Sequence, residues 1–212
     1  MSVKKALLAL ALIAVVLFSL FELGFLEVIS QFIHRFKGEK ALNLEYGPKE
    51  LRNCYYVVFW VPCECAGDKG IATLMVYPKQ PRYKEGAPIV VTVQGGHTPG
   101  QLRPVPPEFN PYGVIWIYFL FPGGKSMEFE SGGEFDFGGE NCVKALYSVL
   151  QFARGEKANG AGKKITDYIN CALTENIGVI GSSNGGNIVG QLCARYSGLE
   201  AVKYVIFYET PV

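Results

Sequence analysis

The sequence predicts an α/β fold in which helices flank a mostly parallel sheet, preceded by a hydrophobic N-terminal helix. Short, wholly apolar runs such as residues 89–93 and 177–180 are typical of strands that are buried on both faces. Other segments carry apolar residues three and four positions apart, which is the spacing of amphipathic helices. The 212 residues, of which 49% are hydrophobic, suffice for one domain with a small appendage.

The first 33 residues predict a membrane segment. Residues 6–21 carry no charged side chain, and the stretch stays largely apolar up to Ile29. A helix over residues 6–29 would be roughly 36 Å long, which is enough to cross the hydrocarbon core of a bilayer. A cleaved signal peptide is an alternative because Lys4 and Lys5 precede the apolar stretch, although no A-x-A-like cleavage site follows it. A helix buried in protein is the third interpretation.

The mixed and charged residues 34–52 predict a linker, and residues 53–212 predict the folded domain. Basic residues lie on both flanks of the apolar segment, so the positive-inside rule determines its orientation only weakly. We expect a single-pass membrane protein whose folded domain lies outside the cytoplasm. Nothing in the sequence indicates an oligomeric state.

Two strands are predicted at the start of the folded domain. Tyr55–Val61 and Ile71–Tyr77 are rich in aromatic and β-branched residues, which favour strands. The turn-like residues 65–70 separate them. The pair should therefore form a hairpin that adds antiparallel strands at one edge of the sheet.

Two further apolar runs predict buried strands that end in glycine-rich loops. Ile89–Val93 leads directly into QGGH at residues 94–97, and Tyr112–Phe121 ends at PGG. The segment Gly139–Arg154 then has apolar residues spaced three and four apart, which predicts an amphipathic helix.

The last part of the chain predicts a strand, a helix and another strand. Ile177–Ile180 is short and apolar, helical spacing follows over residues 188–196, and Val202–Tyr208 is again β-branched and aromatic. Apolar strands that alternate with amphipathic helices indicate a parallel sheet covered on both faces.

The charge balance and the cysteines argue against two classes of function. The formal net charge is +1 and the basic residues are scattered, so we expect no nucleic-acid partner. Cys63 and Cys65 are too close for the usual zinc spacing, so we expect no metal site. We also expect no other cofactor. The six cysteines allow disulfides outside the cytoplasm. Cys142 and Cys193 instead fall on apolar helix faces, which predicts buried thiols.

A G-x-S-x-G motif begins at Gly181, between an apolar strand and a helix. The serine of such a motif projects from a sharp bend with no room for bulky neighbours, a requirement that Gly181, Gly185 and Gly186 meet. The following helix directs its N-terminus, which favours an anion, at the same point. The motif predicts Ser183 as a nucleophile on a nucleophile elbow, with Ser182 facing away. The alternative is a glycine-rich turn that only joins two elements.

The QGGH loop at residues 94–97 predicts the second part of the same site. The loop after such a strand donates a backbone N–H to an oxyanion hole, and the residue after the nucleophile donates another. The predicted donors are Asn184 and one of Gly95, Gly96 or His97. The alternative is an ordinary Gly-Gly turn.

Three motifs together resemble the α/β-hydrolase superfamily, namely QGGH at 94–97, the stretch Ser131–Gly139, and GSSNGG at 181–186. The resemblance is to the N-terminal portion of dienelactone-hydrolase and prolyl-oligopeptidase-like esterases and peptidases, and it covers residues 53–212. It implies an α/β-hydrolase fold that is incomplete at its C-terminus. Many relatives carry a histidine before the glycines of the oxyanion loop, whereas Gln94 stands there in this sequence.

The catalytic triad of this fold is incomplete in the sequence. Its members follow the order serine, acid, histidine, yet no Asp and no His comes after Ser183. Glu209 is a possible triad acid or a solvated carboxylate, and His97 is a candidate base in a loop that normally presents backbone donors. The chain is therefore expected to be a fragment, a non-catalytic remnant or one part of a complex. The exposed apolar edge of the last parallel strand favours a fragment.

The sequence thus predicts a membrane-anchored serine hydrolase that acts on small-molecule ester, thioester or peptide substrates through an acyl-serine intermediate. This fragment alone should be inactive, because a serine hydroxyl without a base is a poor nucleophile. The alternative is a catalytically inactive hydrolase-fold binding or scaffold protein, or a gene fragment.

Overall fold

The computed structural model describes residues 45–102 and 113–211. The predicted membrane helix at residues 6–29 and more than half of the predicted linker lie outside this part of the chain. Within the described ranges, no helix is both long enough and apolar enough to span a membrane. The membrane anchor and its orientation therefore stay predictions.

In the described ranges, seven strands form one sheet in the order β1-β2-β3-β5-β4-β8-β9, and two short strands, β6 and β7, pair separately. The strands are β1 (Glu45–Leu51), β2 (Cys54–Val61), β3 (Ile71–Pro78), β4 (Ala87–Val93), β5 (Ile115–Phe119), β6 (Lys125–Ser126), β7 (Phe129–Glu130), β8 (Ala172–Ser182) and β9 (Val202–Tyr208).

The strands β5, β4, β8 and β9 are neighbours and run parallel. In the centre of the sheet, Ile89 lies opposite Ile177 and Val91 opposite Val179, and all four side chains are buried. The apolar runs of the sequence therefore occupy the middle of the sheet, and the mostly parallel α/β architecture is confirmed. The carboxyl ends of these four strands lie at one edge, where the loops after them meet.

The strands β2 and β3 form the predicted hairpin, in which Val58 lies opposite Leu74. One part of the predicted linker over 34–52 differs from expectation, because Glu45–Leu51 is a strand that pairs antiparallel with β2. Its sequence has no alternating apolar pattern, and four of its seven residues are exposed. Backbone pairing with β2 places this strand, and Tyr46 and Leu51 pack against the smaller core cluster. A search for alternating apolar residues cannot detect it.

The two α-helices of the described ranges are α1 (Glu140–Ala153) and α2 (Asn184–Arg195), both close to the predicted segments. Both pack into the larger core cluster, on one face of the sheet. The smaller cluster holds Trp60 together with Leu102 and Phe129 of β7. The β6–β7 hairpin thus covers side chains of β2 and β3. The sequence predicted helices on both faces of the sheet, but in the described part of the chain both α-helices pack on one face.

The cysteines differ from expectation at one place, Cys193. Cys63 and Cys65 form a disulfide across one intervening residue. Cys142 is a buried free thiol, as predicted, and burial raises its pKa to about 12. Cys193 was expected to be buried but is exposed. The reason is that the last turn of α2, including Ala194 and Arg195, is exposed beyond the packed core.

Asp136 anchors the start of α1. Its carboxylate accepts hydrogen bonds from the backbone N–H groups of Gly139 at 3.1 Å, Asn141 at 2.6 Å and Cys142 at 3.3 Å. Burial by itself raises the pKa of Asp136, but the hydrogen bonds outweigh burial, and this pKa lies below its ordinary value. The charged carboxylate therefore satisfies donors that have no acceptor within the helix.

We predict that Asp136→Ala lowers the free energy of unfolding at pH 7 by about 0.5–2 kcal/mol, because the helix loses these acceptors. The pKa of Asp136 is lower in the folded than in the unfolded protein. Its contribution to stability is therefore complete above the unfolded pKa of about 3.9, and it disappears as the pH falls through the folded pKa. Urea unfolding at pH 7 and pH 3 measures both effects. The exposed Asp68→Ala is the control, and an equal loss for Asp136→Ala at both pH values would contradict the assignment.

Candidate functional site

Ser183 occupies a sharp bend between the end of β8 and the first residue of α2. Its backbone angles are φ 50° and ψ −126°, a region that residues with side chains rarely adopt. The Ser183 N–H donates to the carbonyl of Tyr208 in β9 at 2.8 Å, and the Ser183 carbonyl accepts from the Gly186 N–H at 2.9 Å. A neighbouring strand and the first turn of the helix therefore hold the strained bend in place.

The glycines predicted around the bend lie where backbone segments touch. A Cβ atom added to Gly181 would lie 2.6 Å from the Cα of Gly186, and one added to Gly185 would lie 2.3 Å from the carbonyl oxygen of Val93 in β4. Real Cβ contacts are not this short, and the neighbours here are backbone atoms. The bend can therefore pack against β4 and α2 only with glycine at these positions.

The QGGH loop lies directly against the bend. A Cβ atom on Gly95 would be 2.7 Å from the Cβ of Ser183 and 2.3 Å from the carbonyl oxygen of Ser182. The side-chain amide of Asn184 donates to the Gly96 carbonyl at 3.4 Å. The structure thus brings together Ser183, Asn184 and the two glycines that the sequence predicted as parts of one site.

The conformation of the QGGH loop depends on Gln94. Its side-chain Nε2 donates to the Phe119 carbonyl at 3.2 Å, and its Oε1 accepts from the Gln101 N–H at 2.9 Å. Gly100, with φ 90°, packs against the same side chain. The amide therefore joins the end of β5 to the far end of the loop. From the sequence, Gln94 is only a replacement for histidine. Its role depends on the Phe119 carbonyl and the Gln101 N–H, whose positions the sequence does not indicate.

His97 is exposed at the outer part of the loop. Within residues 45–102 and 113–211, no hydrogen bond joins His97 to Ser183, and Ser183 makes no side-chain bond that caps the helix. In the same ranges, no three His, Cys, Asp or Glu side chains lie close enough to hold a metal ion. The site of the described residues therefore has a hydroxyl and candidate oxyanion donors, without a base at the hydroxyl.

Glu209 comes one residue after Tyr208, whose carbonyl accepts the Ser183 N–H. Glu209 is exposed and has a positive φ of 50°. The next residue, Thr210, is in close contact with the elbow, because a Cβ added to Gly186 would be 2.0 Å from its Oγ1. The segment after β9 is thus at the site, and the role of Glu209 as a triad acid stays a prediction.

The helix that starts after Ser183 contributes to the electrostatics of the site. Backbone N–H groups in the first turn of an α-helix lack acceptors within the helix and carry a partial positive charge. The N–H of Asn184 is the first of them in α2. An oxygen that gains negative charge next to Ser183 would find donors from this turn and from the Gly95–His97 loop.

No protein-family model matches the sequence, and no curated protein matches it. Several solved structures are similar. A bacterial heroin esterase has a TM-score of 0.53 at 16% identity, over 77% of this chain and 47% of that chain. Prolyl oligopeptidase B from Galerina marginata has a TM-score of 0.49 at 19% identity, over 74% of this chain and 20% of that chain. A cold-adapted esterase from an Arctic intertidal metagenomic library has a TM-score of 0.49 at 14% identity, over 75% of this chain and 62% of that chain.

The likeness to the heroin esterase shows that the chain has the α/β-hydrolase fold, as the resemblance of its motifs implied. At 16% identity it shows the fold and no more. The chain spans less than half the length of that structure. Activity and substrate must therefore be argued from the site itself.

We predict opposite effects for two glycines of the same helix. Gly185→Ala should lower the free energy of unfolding by about 1–3 kcal/mol, because its methyl group would collide with the backbone of β4. Gly190→Ala has open space around it and should raise the stability by about 0.5–1 kcal/mol. Urea unfolding of both variants measures the difference. If Gly185→Ala were as stable as Gly190→Ala, the close packing of the elbow on β4 would be wrong.

Proposed function

We propose that this chain carries the nucleophile and the oxyanion hole of a serine hydrolase that cleaves ester, thioester or peptide bonds. The observation that carries the proposal is the strained backbone of Ser183, with Gly95 packed against it and the N-terminus of α2 beside it. A non-glycine residue in such a conformation is most often retained where function requires it. In the proposed site, the bend presents the Ser183 hydroxyl to backbone N–H groups of the helix and of the QGGH loop.

In the proposed reaction, the Ser183 hydroxyl oxygen attacks the carbonyl carbon of the substrate while its proton passes to a base. The negative charge that forms on the carbonyl oxygen is bound by the N–H of Asn184 and by an N–H from the Gly95–His97 loop. The leaving group departs with a proton and acyl-Ser183 remains. Attack by water then releases the acid and returns the proton to the serine.

The base of the triad is proposed to lie outside the described residues. His97 is exposed and not bonded to Ser183, and no other histidine falls within the described ranges. In a comparable triad, removal of the base costs on the order of a millionfold in turnover. Glu209 directly follows Tyr208, whose carbonyl accepts the Ser183 N–H, and it is our candidate for the acid, or for a residue that lines the substrate cleft.

We further propose that residues 6–29 anchor the enzyme in a membrane and that the hydrolase domain lies outside the cytoplasm. The uncharged apolar stretch supports the anchor. The Cys63–Cys65 disulfide supports an oxidising compartment, because disulfides are rare in the cytoplasm.

One observation favours a second candidate, a catalytically inactive binding or scaffold protein with the hydrolase fold. In the described ranges no base contacts the Ser183 hydroxyl, so the site as it stands can bind a carbonyl group without cleaving it. The two candidates differ in whether the reading frame that contains this chain encodes a histidine and an acid that reach Ser183.

We predict that the product of the full reading frame is labelled at Ser183 by a small fluorophosphonate, while the 212-residue chain is labelled far more slowly for want of a base. Ser183→Ala should abolish labelling. Ser182→Ala is the matched control and should leave it intact, since only Ser183 occupies the strained bend. Gel fluorescence and peptide mass spectrometry measure the rate and the site. Labelling that persists in Ser183→Ala, or an unreactive full-length protein, would contradict the proposal.

A further inference from the structure

Phe137 is an exposed aromatic side chain on a backbone that does not suit it. The side chain is 76% exposed and the residue has a φ of 56°. A bulky residue with positive φ is a conformational outlier, and glycine or asparagine would adopt this backbone more readily. Burial in the core does not explain the ring, because most of it faces solvent.

The residues on both sides of Phe137 are tied down. The carboxylate of the preceding Asp136 accepts hydrogen bonds from three backbone N–H groups at the start of α1. The carbonyl oxygen of the following Gly138 accepts a hydrogen bond from the side-chain Nε2 of Gln191 at 3.0 Å, and a Cβ on Gly138 would lie 3.6 Å from the Ile188 side chain. These contacts hold the backbone of Phe137 in its strained conformation and point the ring outward.

The same contacts place the Phe137 loop against the helix that follows the candidate nucleophile. Ile188 and Gln191 belong to α2, whose first residue follows Ser183. At 1.5 Å per residue, Ile188 lies about 6 Å along the helix from Asn184. The Phe137 loop therefore packs against the second turn of the helix that follows the elbow.

An aromatic row joins Phe137 to the chain that follows the QGGH loop. The ring centroids of Phe137 and Phe135 are 5.0 Å apart, and those of Phe135 and Phe121 are 6.0 Å apart. Phe121 is buried, and its N–H donates to the carbonyl of Pro99 at 2.9 Å, a few residues after Gly95. The row thus runs from Phe121, which is bonded to the segment after the QGGH loop, to the solvent-exposed ring.

Met127 provides a comparison. It is also exposed, at 58%, with a positive φ of 53°. Met127 lies in the two-residue turn of the β6–β7 hairpin, where positive φ is the rule. The backbone of Phe137 has no such hairpin to account for it.

We propose that Phe137 is a specificity-determining residue, against which an aromatic or long apolar group of the substrate packs while Ser183 attacks the carbonyl carbon. This inference rests on the proposed hydrolase function and names its substrate class, namely esters, thioesters or amides with a bulky apolar group near the scissile bond. Aromatic rings that pack against one another contribute beyond their buried area, which gives the exposed ring a purpose that a small acyl group would not use.

The test compares two fluorophosphonates, one with a methyl and one with a phenylbutyl group, on the product of the full reading frame. The parent protein should react faster with the phenylbutyl probe. Phe137→Gly should reduce the ratio of the two rate constants about three- to tenfold, with the methyl rate unchanged. Its unfolding midpoint should be unchanged or higher, because glycine relieves the backbone. Met127→Ala is the matched control and should leave the ratio unchanged.

An unchanged ratio in Phe137→Gly would overturn the inference while Ser183 labelling kept the hydrolase proposal intact. An equal loss with both probes and a lower unfolding midpoint would show that Phe137 is structural, which also overturns it. If neither probe labels the protein, the hydrolase proposal fails, and binding decides the inference. Saturation-transfer NMR of 4-phenylbutanamide with Ser183→Ala should then show a signal that Phe137→Gly removes, and an equal signal in both would overturn the inference.

Discussion

The candidate site depends on one steric constraint, the close approach of three backbone segments at Ser183. The end of β4, the bend after β8 and the first turn of α2 leave no room for a Cβ atom at Gly95, Gly181 or Gly185. Glycine at these positions lets the segments touch, and the contact in turn holds Ser183 in a conformation that it would not adopt alone. The bend at Ser183, the helix N-terminus next to it and the position of the QGGH loop all follow from this packing.

The parallel half of the sheet explains why these segments meet. The strands β4, β5, β8 and β9 all end at the same edge, and each sends one piece of chain to the site. The loop after β4 lies against Ser183, the end of β5 holds Gln94, and the Tyr208 carbonyl of β9 binds the Ser183 N–H. Segments at the ends of four strands, distant in sequence, thus form one site at the carboxyl edge of the sheet.

Features with a local cause could be predicted from the sequence, and features that depend on distant partners could not. The bounds of β9 and the bend at Ser183 follow from apolar runs and glycines that lie next to one another. Strand β1 depends on pairing with β2, and the function of Gln94 depends on Phe119 and Gln101. Cys193 has the spacing of a buried residue, yet it lies on a helix turn beyond the core. Periodicity describes a helix face and cannot say where the core ends.

A crystal structure of the full reading frame's product after reaction with a methyl phosphonate would test the central claim most directly. The account predicts continuous density from Ser183 Oγ to phosphorus, with the phosphoryl oxygen about 2.7–3.1 Å from the N–H of Asn184 and from one N–H of the Gly95–His97 loop. Density on Ser182, a phosphoryl oxygen directed away from both donors, or a Ser183 hydroxyl enclosed in the apolar interior would contradict it.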